Sequence, residues 1–327
     1  MSYPFTRRHV LAALGGGLAA AALPSFAAGY PARPVKLMVG SPPGGPVDFM
    51  ARLFGDSVGT ALGGSFVVEN RPGASGTLAA EAVARSQADG HTLLLSGPAV
   101  LTTRHLMPKL SFDAPNDLQP VAMTGAGAFA LVVHPSVPAR NVAELIALAR
   151  SKPGTLSYGS GGNGSSGQLC MEVFSGQAGT RLLHVPYKGD GQAVNDLLAG
   201  QIQVMFTAPN VAMPHVRAGK LRLLAVTTRE RVPSIDAPTV HESGLADFEY
   251  LGWVVVFAPS ATPKASIDSL VSAWQKARGT PAVKGRLEEL AMVAPDRLVA
   301  GDALARFLKA EDARLGKVIR DAGIRIE

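Results

Sequence analysis

The 327-residue chain has a single cysteine, Cys170. That excludes a disulfide framework and every structural zinc site built on thiolates. Aromatic residues make up only 6% of the chain, too few for the stacking surfaces that bind single-stranded nucleic acid. Charged residues are 17%, with no run of five like charges, so neither a nucleic-acid tail nor a polybasic membrane patch is indicated. The histidines stand at 9, 91, 105, 134, 184, 215 and 241. None are three or four apart, so no helix carries a metal-ligating pair. No Gly-x-Ser-x-Gly elbow occurs and no lysine precedes Ser or Thr, which removes the hydrolase nucleophile turn and the phosphate loop of nucleotide hydrolases. Cys170, between Leu169 and Met171, reads as a small buried hydrophobe. No metal, cofactor or catalytic residue is expected.

What is present is apolar and rich in turns: 47% hydrophobic residues, 36 Gly and 24 Pro. The length suggests two domains of roughly 100–200 residues each. Residues 1–28 read as an address. They hold Arg7 and Arg8 and no acid, an apolar stretch from Val10 to Leu23, and then Pro24-Ser25-Phe26-Ala27-Ala28. The apolar stretch is too short to span a bilayer, and the pattern is that of an export signal cleaved after Ala27 or Ala28. Thr6-Arg7-Arg8-His9-Val10-Leu11 also fits a twin-arginine signal, the alternative being an ordinary basic start. Removal of Arg7 and Arg8 leaves 29 basic against 25 acidic residues, a mature charge of +4. With no second apolar stretch of 18 residues, the mature protein is expected to be soluble and periplasmic.

Along the chain the pattern is strand, glycine turn, helix, repeated. Strands are expected at Val35–Gly40, Phe66–Glu69 and Thr92–Ser96, with helices at Phe49–Leu62 and Leu78–Arg85, the latter capped by Thr77. A second block follows: helix Val142–Arg150, strand Thr155–Tyr158, helix Gln168–Gly176, strand Leu182–Pro186, helix Gln192–Leu198, and strands Ile202–Thr207 and Leu221–Thr227. Strand Trp253–Ala258 and helices Ile267–Arg278, Val283–Leu290 and Ala303–Ala322 complete the chain. The expected fold is α/β, with parallel sheets and right-handed crossovers. Lobe one comprises 29–127 plus 252–327 and lobe two 128–251, with crossovers near Val121–Val133 and Tyr250–Ala258. Two lobes on two strands make a hinged cleft.

Three glycine loops could bind a ligand. Pro42 to Asp48 opens a helix, where exposed N–H groups and the helix dipole suit a carboxylate or phosphate; an ordinary tight turn is the plainer reading. Asp48 either accepts first-turn N–H groups or meets a ligand hydroxyl or ammonium. Tyr158 to Gly167 contains Gly159-x-Gly161-x-x-Gly164, the literal dinucleotide fingerprint. The acid required about 20 residues on is missing from Leu182-Leu183-His184-Val185-Pro186, so an anion cradle is favoured over a dinucleotide site. In the third loop Arg71 sits beside a turn, either free for a ligand or paired with Glu69 or Asp89.

The segments PPGGPVDFMAR (42–52), VVENRPGASG (67–76), DGHTLLLS (89–96), GSGGNGSSGQL (159–169), HVPYKG (184–189), AGKLRLLAVT (218–227) and AGIRIE (322–327) together resemble one family, the substrate-binding receptors of tripartite tricarboxylate transporters, or Bug-type receptors. The resemblance runs in register over the mature chain. It implies a two-lobed periplasmic-binding fold of type II that closes on a small carboxylate held largely by backbone amides. It places Ser41, Gly44, Gly45, Val47 and Asp48 on lobe one and Ser160, Gly161, Asn163, Ser165 and Ser166 on lobe two. Strand ends at Ser96 and Gly97, and at Thr207, Ala208 and Pro209, shape the rest. Two positions depart from the family pattern: Ser41 replaces a bulky apolar residue and Gln168 replaces a histidine.

The implied function is an extracytoplasmic solute receptor, monomeric, binding a small organic acid. Its partner is a membrane permease of large and small subunits or a sensor kinase, and no nucleic acid is involved. The competing class is a cleft enzyme acting on carboxylates, for which only Asp48 and His184 stand near the cleft as general bases.

Overall fold

The computed structural model describes residues 30–44, 46–73, 76–107, 110–293 and 299–325. The expected export signal and Gly45 lie outside them. The chain first lays down β1 (Val35–Val39), α1 (Pro46–Leu62), β2 (Phe66–Asn70), α2 (Thr77–Ala84), β3 (Thr92–Ser96) and α3 (Ala99–Leu106). After a short α4 (Ala114–Asp117), β4 (Leu118–Gly127) passes through Ala128 and Phe129 into β5 (Ala130–Val133). There follow α5 (Val142–Ser151), β6 (Ser157–Ser160), α6 (Ser166–Ala178), β7 (Leu183–Pro186), α7 (Asp190–Leu198), β8 (Val204–Thr207), α8 (Pro209–Arg217) and β9 (Arg222–Val226). The chain returns through β10 (Gly252–Pro259), α9 (Lys264–Gly279), α10 (Pro281–Glu289), β11 (Met292–Val293) and α11 (Gly301–Asp321).

Two sheets result, ordered β11-β4-β10-β3-β1-β2 and β7-β6-β8-β5-β9. In each, three parallel strands are wound in the same order, β3-β1-β2 in one and β8-β6-β7 in the other. The fourth strand of each is antiparallel and arrives from the other sheet: β10 beside β3, and β5 beside β8. This is the expected two-lobed fold with two crossover strands.

The strands are short, nearly uninterrupted apolar runs, the composition of strands covered on both faces. On one face of the first sheet, Leu37, Leu93 and Val256 pack with Phe54 of α1 and Trp274 of α9. On the other, Met38, Leu94 and Trp253 pack with Ala80 of α2, Leu101 of α3 and Leu304 of α11. Helix α11 does more than cover one sheet. Its stripe Leu304 and Leu308 joins the first lobe's cluster, while Leu315 and Ile319 join the second lobe's, against Leu169 and Phe174 of α6. Leucines and isoleucine at these helical spacings fall on one face, so α11 braces both lobes.

The element pattern follows the sequence with local shifts. Helix α2 is capped by Gly76 in the left-handed conformation (φ 89°) without a side-chain cap. The Thr77 hydroxyl, expected as the cap, is instead a buried first-turn residue with no hydrogen-bond partner. A Cβ on Gly40 would lie 2.5 Å from Gly76 Cα, so the β1–α1 and β2–α2 turns are pressed together and the glycines are required there. Strand β6 runs two residues beyond its expected end, which places Gly159 and Ser160 in the sheet. Helices α3 and α8 lie outside the expected elements.

Both crossings meet at Thr227. Its hydroxyl donates to Tyr250 O (2.7 Å) and accepts from Phe129 N–H (2.7 Å), while its backbone N–H donates to Phe129 O (3.0 Å) and its carbonyl accepts from Tyr250 N–H (3.0 Å). The side chain is fully buried. Thr227→Val keeps the shape and leaves the Phe129 N–H and Tyr250 carbonyl unsatisfied, a loss of about 2–4 kcal/mol for two buried groups. Urea unfolding of the variant is expected to show a lower midpoint at unchanged slope; an unchanged midpoint would refute the role given to this hydroxyl.

Candidate ligand-binding cleft

Strand register decides where the helix N-termini point. Strand β3 ends at Ser96, opposite Val255 of β10, and β10 begins with Gly252 opposite Gly127, where β4 leaves the sheet. Strand β8 ends at Thr207, opposite Ala130, where β5 enters the other sheet. The carboxyl ends of all six parallel strands therefore face the crossing, and so do the N-termini of α1, α2, α3, α6, α7 and α8. Ligands of open α/β sheets bind at this edge, and here two such edges face each other.

On lobe one, Asp48 in the first turn of α1 is buried with both carboxylate oxygens engaged. Oδ2 accepts from Gly44 N–H (2.9 Å) and Arg52 Nε (3.1 Å), and Oδ1 accepts from Arg52 Nη2 (3.0 Å) and Asn70 Nδ2 (2.9 Å). Asn70 Nδ2 also donates to Ser41 O (3.0 Å). The bonds from Arg52, opposed by burial and assisted by Gly44 and Asn70, lower the Asp48 pKa to about 2. Asp48 thus fixes the shape of the Ser41–Gly44 turn. Gly44 holds φ +84°, and a Cβ there meets nothing within 4 Å, so its surroundings are open. Val47 follows Pro46 in the first turn of α1 and is partly exposed. Arg71 is exposed; Glu69 pairs with Lys36 (2.9 Å) and Asp89 with Arg33 (2.7 Å), so neither expected partner is taken up by Arg71.

On lobe two the loop 161–165 is held by a neutral network. Gln168 Oε1 accepts from Gly164 N–H (2.7 Å), and Gln168 Nε2 lies 3.1 Å from His184 Nδ1. His184 Nε2 lies 2.7 Å from Ser160 Oγ, which sits 3.1 Å from Gly162 O. With the Gln168 carbonyl committed to Gly164, its amide donates to Nδ1, so Nε2 carries the ring proton toward Ser160. Burial lowers the His184 pKa to about 4, and the ring stacks on Tyr158 (4.8 Å between centroids). Ser160 is wholly buried. Ser165 caps α6, accepting from Gln168 N–H (3.4 Å), and leaves the N–H groups of Ser166 and Gly167 without intrahelical partners. A Cβ on Gly167 would lie 2.9 Å from Phe206 O, so the start of α6 lies directly against the end of β8. Asn163 is exposed.

The strand-end residues Ser96, Gly97, Thr207, Ala208 and Pro209 reach the same edge. Pro209 opens α8, a start that proline at the first helical position signals in sequence. Cys170 is fully buried, and burial pushes its thiol pKa up, as for an inert core cysteine. Among the described residues no cluster of His, Cys, Asp and Glu could hold a metal ion, and no helix is long and apolar enough to cross a membrane.

A lowered carboxylate pKa stabilises the fold when the group is ionised. The Asp48 contribution is complete above the ordinary carboxylate range near pH 4 and is lost as pH falls toward about 2. Asp48→Asn is expected to lower the thermal midpoint at pH 7 and to flatten its decline between pH 4 and 2 relative to wild type. Parallel declines in the two proteins would show that Asp48 does not hold the turn.

Comparison with known proteins agrees with this geometry. Residues 50–324 match the tripartite tricarboxylate transporter family receptor. Protein BugT of Bordetella pertussis is 34% identical over 325 residues, covering 98% of this chain and 99% of its own. The solved structure of Rpa4515 of R. palustris with adipate is 34% identical with a TM-score of 0.78, covering 90% of this chain and 99% of that one. The periplasmic binding protein BugD superposes with a TM-score of 0.75 at 30% identity, over 91% of this chain and all of its own. The chain belongs to the tripartite tricarboxylate transporter receptor family, whose members are solute-binding receptors.

Proposed function

We propose that this protein is an exported receptor that closes its lobes, 29–127 with 252–327 and 128–251, on a small organic carboxylate and releases it unchanged to a membrane permease of one large and one small subunit. The observation that carries the reading is the convergence of helix N-termini from both lobes on one cleft, with glycine turns at α1 and α6. Such ends each favour an anion by about 0.3–1 kcal/mol, more when partly buried. Ser41, Gly44, Gly45, Val47 and Asp48 form the first cradle in this reading. Ser160, Gly161, Asn163, Ser165 and Ser166 form the second, with Ser96, Gly97, Thr207, Ala208 and Pro209 closing the ends. Asp48 and the Ser160 hydroxyl act by shaping the loops, and the backbone amides not already bonded within the loops face the ligand. The adipate held by Rpa4515 supports the ligand class. The basic start and short apolar stretch of residues 1–28 support export, cleavage after Ala27 or Ala28, and a periplasmic home for the monomer. Turnover is disfavoured because both candidate bases, Asp48 and His184, are already engaged.

The test is thermal unfolding of the mature chain against mono-, di- and tricarboxylates. An acid at a hundred times its dissociation constant adds about 2.7 kcal/mol and is recovered chemically unchanged. Ser165→Asp keeps a capping side chain but sets a second negative charge in the cradle. It is expected to lose at least about tenfold in affinity with little change in the unliganded midpoint. Wild-type affinity in that variant, or consumption of the acid, would defeat the proposal.

A further inference from the structure

Lobe two carries a second polar corner at the same sheet edge, on the face away from α6. Along β8, Val204 and Phe206 pack with Leu169 and Phe174 of α6, whereas Met205 packs with Ala193 and Leu197 of α7 and Ala212 of α8. Side chains alternate along a strand, so Thr207 faces the α7–α8 side. It is fully buried and its hydroxyl has no hydrogen-bond partner. Strand β6 runs parallel to β8 with Gly159 beside Met205, and that register, continued two residues past this last pair, brings Gly161 to the level of Thr207. Above Gly161 lies the carboxylate of Asp190, the first residue of α7: a Cβ on Gly161 would sit 2.6 Å from its Oδ1. Asp190 is half-buried, and the Gly161 N–H is the group that stabilises its charge. Burial pushes its carboxyl pKa up, and no cation among the described residues offsets this.

A buried hydroxyl without a partner and a carboxylate without a cation occupy one face of one edge, beneath two helix N-termini. The positive end of α7 favours an anion there, and Asp190 already supplies it from the chain itself. A second carboxylate is therefore repelled from this corner, while a hydrogen-bond donor finds a fixed acceptor. We propose that Asp190 and Thr207 form a donor-selecting subsite, so that the preferred ligand is a carboxylate bearing a hydroxyl or ammonium group rather than a plain dicarboxylic acid. The proposal rests on the carboxylate-receptor reading above: the cradles take the acid, and this corner reads what is attached to it.

Calorimetric titration of the mature chain with three matched series tests it: propionate, lactate and alanine; succinate, malate and aspartate; glutarate, 2-hydroxyglutarate and glutamate. In the series that binds, the hydroxy or amino acid is expected to be at least about tenfold tighter than the plain acid. The stronger of those two arms tells which donor is read. Asp190→Asn is expected to erase that preference while the plain acid binds as before or better. Thr207→Val, which keeps the buried shape, is expected to weaken the preferred acid at least about threefold more than the plain one. If Asp190→Asn lowers the unfolding midpoint, the Thr207→Val comparison decides. Equal affinity for the plain acid in wild type, or a preference that survives both substitutions, overturns the subsite. Absence of binding across all three series overturns the receptor reading itself and the subsite with it.

Discussion

Both passages between the sheets are tied together by one side chain, the hydroxyl of Thr227, and the cleft depends on that contact. Each sheet is incomplete until a strand arrives from the other, β10 for the first and β5 for the second. The exchange forces the two crossings to run side by side, and Thr227 bonds to both neighbours through side chain and backbone alike. Helix α11 adds a third connection. Arg314 grips Glu311 with two nitrogens (2.8 and 3.0 Å), lies over the Tyr250 ring (5.4 Å), and reaches Glu249 O (3.4 Å). One helical turn of α11 therefore leans on the second crossing, while its neighbour Asp312 binds Arg104 and His105 of α3. Relative movement of the lobes has to be absorbed in the few residues around Phe129 and Tyr250 and where α11 packs on the second lobe, because sheets and helices on either side are closely packed.

The two proposed cradles are stiffened by opposite chemistry. On lobe one a buried carboxylate is neutralised by a guanidinium fork and an amide, a charged network that holds the turn from beneath. On lobe two the corresponding turn is held by an uncharged chain through Gln168, His184 and Ser160. Neither arrangement consumes the N–H groups of Ser166 and Gly167 at the start of α6, which remain donors. Backbone donors recognise a carboxylate without regard to its substituent, so ligand identity has to come from side chains elsewhere on the rim. That division of labour is why a residue such as Asp190, outside the glycine loops proper, matters more for selectivity than the cradles themselves.

Much of this was legible in the sequence. Apolar runs such as VKLMV and TLLLS mark buried strands, and the restart of the strand–turn–helix theme after residue 140 marks the second lobe. Helices α3 and α8 carry no clear apolar periodicity, because α3 buries Thr102 and Thr103 beside Val100 and Leu101, and α8 holds Pro214 internally. The strand pattern stops short of the end of β6 because glycine and serine read as loop, yet Gly159 and Ser160 are paired with Val185 and Pro186. Residue type alone makes Thr77 the cap, whereas the pressed contact of Gly40 with Gly76 gives the capping position to glycine. The Asp190–Gly161 and Thr227 contacts join residues 29 and about 100 positions apart, and no local pattern encodes such pairings.

Gln168, at a position where the resemblance to the receptor family implies a histidine, bears on what the Ser160–His184 pair can do. Serine, imidazole and a third polar group in line also describe a nucleophile with its base and orienter. In such a site the imidazole nitrogen facing the serine must be unprotonated to receive the hydroxyl proton. Here the amide geometry imposes the reverse: Gly164 N–H occupies the Gln168 carbonyl, the amide donates to Nδ1, and Nε2–H points at Ser160 Oγ. The serine proton is left for Gly162 O, 3.1 Å away. Each group donates in one direction along the chain, and the hydroxyl that a substrate would have to reach is wholly buried. A network with this polarity cannot activate Ser160. Its effect is to set the path of residues 161–165, so that the amides at the start of α6 are presented to the cleft before any ligand arrives.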